Sequence, residues 1–297
     1  MILHRTLGDK IFDAINVFLL CVLVVLTLYP FYYVVVASLS HPVQLFRSSQ
    51  LLLYPRGFSL DSYRIVLTNN WIWLGYRNTL LYVALGGSLS LFLTLIGGYA
   101  LSKKYLPGRV FFLTMITFTM FFGGGMIPTW VVVNGLGLTD TIWAMILPGA
   151  VGTFNLIIMK TFLQSLPEEL EESAHLDGAN YWTILWFIVA PLSKPALAVV
   201  GLFYVVAIWN SFMPALLYLR DRNLLPLQII LREILLLGSS DAMNLGFADT
   251  GGNEDFLAYS ETVKHASIIV TTVPILLVYP FLQRYFVKGV MIGAIKG

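Results

Sequence analysis

The residues of this chain that could do chemistry crowd into one short stretch, Leu166-Pro167-Glu168-Glu169-Leu170-Glu171-Glu172-Ser173-Ala174-His175-Leu176-Asp177-Gly178-Ala179-Asn180. Pro167 near its start and glutamates at 168, 169, 171 and 172 suit the positive end of a helix macrodipole. Gly178 can take the left-handed conformation that stops the helix. Leu166, Leu170, Ala174 and, one position off, Leu176 give an apolar stripe at helical spacing. After the turn, Tyr181-Trp182-Thr183-Ile184-Leu185-Trp186-Phe187 is a second amphipathic segment, so the spacing predicts a bent two-helix protrusion. Its chemistry is recognition rather than bond-making. An acidic helix either stands in water or, on the cytoplasmic face of a membrane whose anionic lipids favour lysine and arginine, faces another protein.

Other chemistries lack their constellations. His4, His41, His175 and His265 are scattered, and no His-Glu-x-x-His pair or Ser-His arrangement falls inside an apolar run. Gly123-Gly124-Gly125 lacks the lysine that a phosphate-cradling loop needs. The single cysteine, Cys21, excludes an intrachain disulfide and a cysteine-based zinc site, and reads as lipid-facing or packed. With 18 Lys and Arg against 16 Asp and Glu, the net charge of +2 makes no basic field that would gather nucleic acid.

What must position the acidic stretch is a membrane domain. The 297 residues are 58% hydrophobic and 11% charged with a mean hydropathy of +0.79, too few charges to cover a water-soluble globule. A helix needs about 20 mostly apolar residues to cross the hydrocarbon core. Six runs qualify, at about 11–39, 79–101, 110–133, 141–162, 184–219 and 263–286. The start of the fifth is interrupted by Pro191, Ser193, Lys194 and Pro195. The first run is longer than a signal-peptide core and is expected to remain as an anchor. The expected fold is all-α, one transmembrane domain over 1–297, with the acidic segment 166–182 between the fourth and fifth spans. Lysine divides seven to one in favour of the side that carries both ends and the acidic segment, which puts both termini in the cytoplasm. On the other side, 40–78 has the Trp, Tyr and Arg of a stretch along the headgroups, Leu224 to Leu237 could form an amphipathic helix, and 246–255 reads as a loop. Gly86-Gly87 and Gly97-Gly98 allow close helix packing, and Pro128, Pro148, Pro214, Pro274 and Pro280 could kink their spans.

The run Glu172-Ser173-Ala174-x-x-Asp177-Gly178-Ala179, followed by aromatic and aliphatic residues and then Pro191 and Pro195, resembles the EAA motif of binding-protein-dependent ABC importer permeases. It departs from the pattern in having Ser173 for the first Ala and Ala190 before Pro191, both small or apolar replacements. Tyr29-Pro30-Phe31 and the ending from Tyr279 to Val290 resemble the carbohydrate branch, closest to oligosaccharide and polysaccharide importers, and the resemblance covers essentially the full chain.

The resemblance implies a multi-pass permease of a bacterial plasma membrane whose bent helix is a coupling helix seated in an ATPase subunit. Glu172, Ser173, Ala174, Asp177, Gly178 and Ala179 are its expected contact and shape residues. The implied partners are a second permease, two ATPase subunits, an extracytoplasmic solute-binding protein and membrane lipid. ATP and magnesium fall to the ATPase, so this chain is expected to be non-catalytic and to bind no cofactor or metal. A sugar is the implied cargo, for which Tyr204, Trp209 and Asn210 are candidate pathway residues, since sugar rings stack on aromatic faces and amides bond hydroxyls. The stretch 241–261 is an expected docking surface for the binding protein. The competing expectations are an importer of amino acids or phosphate, or an ion-coupled carrier. The carrier usually needs ionisable groups near mid-membrane, and the span centres hold no Asp, Glu, Lys or Arg.

Overall fold

A computed structural model describes residues 7–47, 52–236 and 258–277. Among them every regular element is helical, apart from one isolated antiparallel bridge between Ser40 and Phe58. The chain forms two compact units, one drawn from Met1–Asn70 and Glu233–Thr272 and the other from Trp71–Arg232 and Val273–Gly297.

In the first unit, α1 (Leu7–Ser38) is 32 residues long, about 48 Å at the helical rise, and so exceeds the ~30 Å hydrocarbon core. Its apolar side chains are exposed for most of its length, Cys21 among them, and only Val36, Ala37 and Ser38 are buried. Such a surface is stable in lipid, not in water. Val36 and Ala37 pack with Leu45 of α2 (Pro42–Phe46) and with Leu52. Ser62 in α3 (Asp61–Thr68) donates to Thr262 Oγ1 at 2.8 Å, tying α3 to the helical residues 258–277. Tyr33 lies 5.5 Å, ring to ring, from His265. The expected sixth span, 263–286, is helical as far as 277; the rest of it, with Pro280 and the Tyr279–Val290 ending, lies outside the described residues. So do 246–255 and most of 241–261.

The second unit is organised on α4 (Asn70–Ser102), the 33-residue helix that contains the expected second span. It begins before Thr79 and carries Trp71, Trp73 and Tyr76, which the sequence places in a headgroup-level stretch, inside the helix. Gly98 shows why small residues stand here: a Cβ would lie 2.9 Å from Met159 Cγ and 3.3 Å from the Lys160 backbone nitrogen. The expected third and fourth spans are not single helices. The third is α5 (Arg109–Phe121) and α6 (Met126–Gly135), bent by 115° where Gly123, Gly124 and Gly125 interrupt the run and Gly125 takes φ +84°. The fourth is reduced to α7 (Trp143–Ile146) and α8 (Thr153–Leu163), because Pro148 supplies no N–H and Gly149 and Gly152 add backbone freedom between them. Next come α9 (Glu169–Leu176), α10 (Tyr181–Ile184), a π-turn over Leu185–Val189 and α11 (Ala190–Leu192). An 83° bend at Ser193 leads to α12 (Lys194–Trp209), so the interrupting residues at 191–195 mark a corner. The stretch then runs through α13 (Met213–Tyr218) to the start of the amphipathic α14 (Leu227–Leu236), which matches the expected Leu224 to Leu237 helix.

By length and composition, the described residues contain two helices able to cross a membrane, or up to four if each bent pair is one span. The core of the second unit joins Leu95 and Tyr99 of α4, Met159 and Leu163 of α8, Ala174 of α9, Ile184 of α10 and Val200 of α12. Through Ala174 the acidic helix is thus tied to the core.

Candidate functional site

Helix α9 ends in a Schellman motif. The Gly178 N–H donates to the His175 carbonyl at 3.0 Å, and the Ala179 N–H reaches back to the Ala174 carbonyl at 2.9 Å. The motif requires a left-handed residue at 178, and Gly178 has φ +84°. It usually brings together the residues flanking the turn, and here Ala174 is buried with Ala179 packed against the same cluster. Asp177, the C-cap, remains exposed. Asn180 then starts α10, its side-chain oxygen accepting from the Thr183 N–H at 2.9 Å and the Thr183 hydroxyl at 3.1 Å. The two helices and their bend are therefore fixed by backbone chemistry written in Ala174, Gly178, Ala179 and Asn180.

The inner face is bolted to the end of α4. Glu171 Oε2 accepts from the Tyr99 hydroxyl at 3.0 Å and pairs with the Lys103 ammonium, which also sits 4.5 Å from the centre of the Tyr99 ring. The Lys103 and Glu171 side chains are only 17% and 13% exposed. A more open pair, Lys104 with Glu168 at 3.0 Å, flanks them, and Gln164 donates to the Ser102 carbonyl at 3.3 Å. The motif singles out Glu172, whereas the anchor in the structure is its neighbour Glu171. The signal that could have found the anchor was the placing of Lys103 and Lys104 on the same side as the glutamates.

The outer face is free. Glu172 and Ser173 are exposed, and Glu172 has no ion-pair partner among the described residues. Leu176 is 90% exposed, a correction to the inward stripe: the Schellman turn gives the inward contact to Ala179, and Leu176 points away with Tyr181 and Trp182. Leu170 is exposed as well. His175 holds the turn together, with Nδ1 3.1 Å from the Ala179 carbonyl and its ring edge-on to Tyr181 at 4.8 Å. What results is a rigid knob with an acidic and apolar tip.

The remaining candidates lie apart from the knob's tip. Tyr204 is buried in α12, its hydroxyl 2.6 Å from Thr94 Oγ1 and accepting from the Gly152 N–H at 3.0 Å. Trp209 is buried at the end of α12, edge-on to Tyr76 at 6.3 Å. Asn210 is exposed, and its Nδ2 donates to the Val206 carbonyl at 2.9 Å. Tyr204 contributes to the same buried cluster as Ala174 and Tyr99.

Residues 93–292 match the model of a family described as "binding-protein-dependent transport system inner membrane component". Protein LplC of Bacillus subtilis (strain 168) is 41% identical over 295 residues, covering 99% of this chain and 98% of LplC. The polygalacturonan/rhamnogalacturonan transport system permease protein YtcP of the same organism is 40% identical over 289 residues, 97% of this chain and 99% of YtcP. Among solved structures, a chain of a bacterial ABC transporter involved in the import of the acidic polysaccharide alginate is similar with a TM-score of 0.87 and 32% identity, over 95% of this chain and 99% of that one.

Proposed function

The chain belongs to the family of binding-protein-dependent transport system inner membrane components, and from that premise we propose that it is the permease subunit of an ATP-driven importer of a complex carbohydrate. It is a multi-pass protein of the plasma membrane and a transport component. The cargo class is supported by a relative named for polygalacturonan and rhamnogalacturonan and by a structural neighbour from an alginate importer.

In this reading the whole chain is one permease crossing the membrane six times, with both termini cytoplasmic. It forms half of a shared pathway with a second permease and receives sugar from an extracytoplasmic binding protein. Two ATPase subunits bind ATP and magnesium and supply the hydrolysis. The segment 166–182 couples the two. The observation that carries the assignment is the division of α9 into a face locked to α4 through Glu171, Lys103 and Tyr99 and a face left open at Glu172, Leu176 and Gly178. A moving ATPase can tilt a membrane helix only through a lever that does not flex, and the Schellman turn, the Asn180 cap and the shared core make it stiff. Glu172 and Ser173 meet the ATPase groove, Ala174 and Ala179 set the knob on its base, and Asp177 with Gly178 forms the corner. For the cargo, Tyr204 acts by positioning, since its hydroxyl is already engaged, while Trp209 shapes the wall and exposed Asn210, its Nδ2 bonded to the Val206 carbonyl, offers its amide oxygen to sugar hydroxyls.

Reconstitution of the complete importer tests the reading. Glu172→Lys and Gly178→Pro are expected to abolish ATP-driven uptake while leaving assembly intact. Normal uptake with either variant, or autonomous ion-driven transport by the purified chain, would overturn it.

A further inference from the structure

A second polar site lies far from the knob. Along α4, Asn78 and Tyr99 are separated by about 32 Å at the helical rise, roughly the thickness of the hydrocarbon core. Tyr99 holds the acidic helix, while Asn78 holds the loop between α13 and α14. The two sites therefore sit at opposite ends of one helix.

The loop is pinned at almost every residue. Asn78 Nδ2 donates to the carbonyls of Asn223 at 2.7 Å and Leu225 at 3.0 Å, and the Tyr82 hydroxyl donates to Leu224 at 2.6 Å. Asp221 caps the Asn223 N–H at 2.9 Å, and Arg222 lies over the Trp71 ring at 4.2 Å. Asp140, a left-handed residue at φ +61°, accepts the backbone N–H groups of Arg220 and Asp221 at 2.9 and 2.7 Å and donates its own to the Tyr218 carbonyl at 2.8 Å. Arg220 is the exception. Its backbone is fixed, and its exposed guanidinium, which feels the charge of the nearby Asp140 carboxylate, donates no hydrogen bond among the described residues.

Arg220 lines a cavity of about 150 Å³ with Trp130, Asn134, Thr139, Asp140 and Tyr218. The Trp130 indole N–H, the Asn134 amide, the Thr139 hydroxyl and the Tyr218 hydroxyl also carry no hydrogen bond among the described residues. An aromatic wall, uncommitted donors and a pre-positioned guanidinium are the groups that recognise a sugar ring bearing a carboxylate, with the Asp140 carboxylate beside them to accept from ring hydroxyls and to oppose an anion placed anywhere but on Arg220. Arg matches that anion with two parallel bonds, and its backbone is already ordered before the ligand arrives. The cavity is smaller than the ~300–1,000 Å³ of sites that enclose drug-sized ligands, so it takes one residue rather than a length of chain.

We propose that this cavity is a subsite for one uronate residue of an anionic oligosaccharide, Arg220 holding the carboxylate and Trp130 offering the ring its face. The proposal rests on the carbohydrate reading and adds to it a place in this chain where the charge of an acidic cargo is read.

The test uses the assembled permease and ATPase complex in nanodiscs, without the binding protein, and compares trigalacturonate with neutral galactotriose. Wild type is expected to bind trigalacturonate more tightly, Arg220→Gln to lower the ratio of the two affinities about tenfold, and Arg220→Lys to restore part of it. A ratio that Arg220→Gln leaves unchanged, or no binding of trigalacturonate by wild type, overturns the subsite. An Arg220→Gln defect that hits both sugars equally, and only when the binding protein is added, overturns it too and assigns Arg220 to docking that protein. Uptake by the complete importer separates the two levels. If wild type takes up galactotriose while the ratio is insensitive to Arg220, the subsite falls and the carbohydrate reading stands; if the complete importer takes up no sugar, the carbohydrate reading falls, whatever the nanodisc result.

Discussion

Removing the carboxylate of Glu171 should disconnect the coupling helix without unfolding the protein. The Glu171–Lys103 pair is mostly shielded from solvent, with the Tyr99 hydroxyl bonded to the same oxygen at 3.0 Å. Breaking a fully buried pair by deleting one partner costs about 3–5 kcal/mol, and an exposed pair is worth about 0–1. At 17% and 13% exposure the pair lies between these limits, so Glu171→Gln and Lys103→Met should each loosen α9 by roughly 1–3 kcal/mol. That is about a 5- to 150-fold rise in the detached population, with the rest of the cluster from Leu95 to Val200 still packed. The assay is a double-mutant cycle on the reconstituted importer that reads ATP hydrolysed per sugar imported and, in parallel, hydrogen exchange of the α9 amides. Both single variants should raise the ATP cost of transport and speed exchange in 169–176, and the double variant should be little worse than either one. Glu172→Gln should leave exchange in α9 unchanged, because that carboxylate is exposed. Additive effects of the two singles, or unchanged exchange, would refute the anchor.

Two further perturbations probe the turn and the far end of α4. A Cβ at Gly178 would meet nothing within 4 Å, so Gly178→Ala costs only the left-handed conformation, about 1–2 kcal/mol; Gly178→Asn should cost less, and the two should rank in that order in transport efficiency. Hydrogen bonds from the backbone of Asp221 and Arg220 hold the Asp140 carboxyl below the usual aspartate range. Its stabilisation is therefore fully present above the unfolded value of about 4 and is lost as pH falls through the lower folded value, so Asp140→Asn should flatten the acid limb of a stability–pH curve; an unchanged limb would contradict it.

The sequence made the long elements and the corner of the knob legible for different reasons. A continuous apolar run such as 11–39 has nothing to break it, and α1 follows it closely. Composition could not show whether the apolar runs 110–133 and 141–162 are continuous, and there Gly123–Gly125 and Pro148 turn the backbone. Gly178 was legible because a left-handed turn is a local demand that one residue type meets cheaply. Glu171 was not, because adjacent glutamates differ only in which one the packed helix turns towards Lys103. The outward Leu176 has the same origin: a helical stripe predicts a face, but the Schellman turn hands the inward contact to Ala179. Arg220 carries no sequence signal at all, since the lack of a hydrogen-bond partner for its guanidinium is visible only once every neighbour's partner is known.

Cross-linking from single positions along α9 in the intact assembly tests the central claim most directly. With a photoreactive residue placed in turn at Ala174, Leu176 and Gly178, the account predicts adducts with the ATPase from 176 and 178 and none from 174, whose side chain faces the core. Equal adducts from all three positions, or none from any, would contradict it.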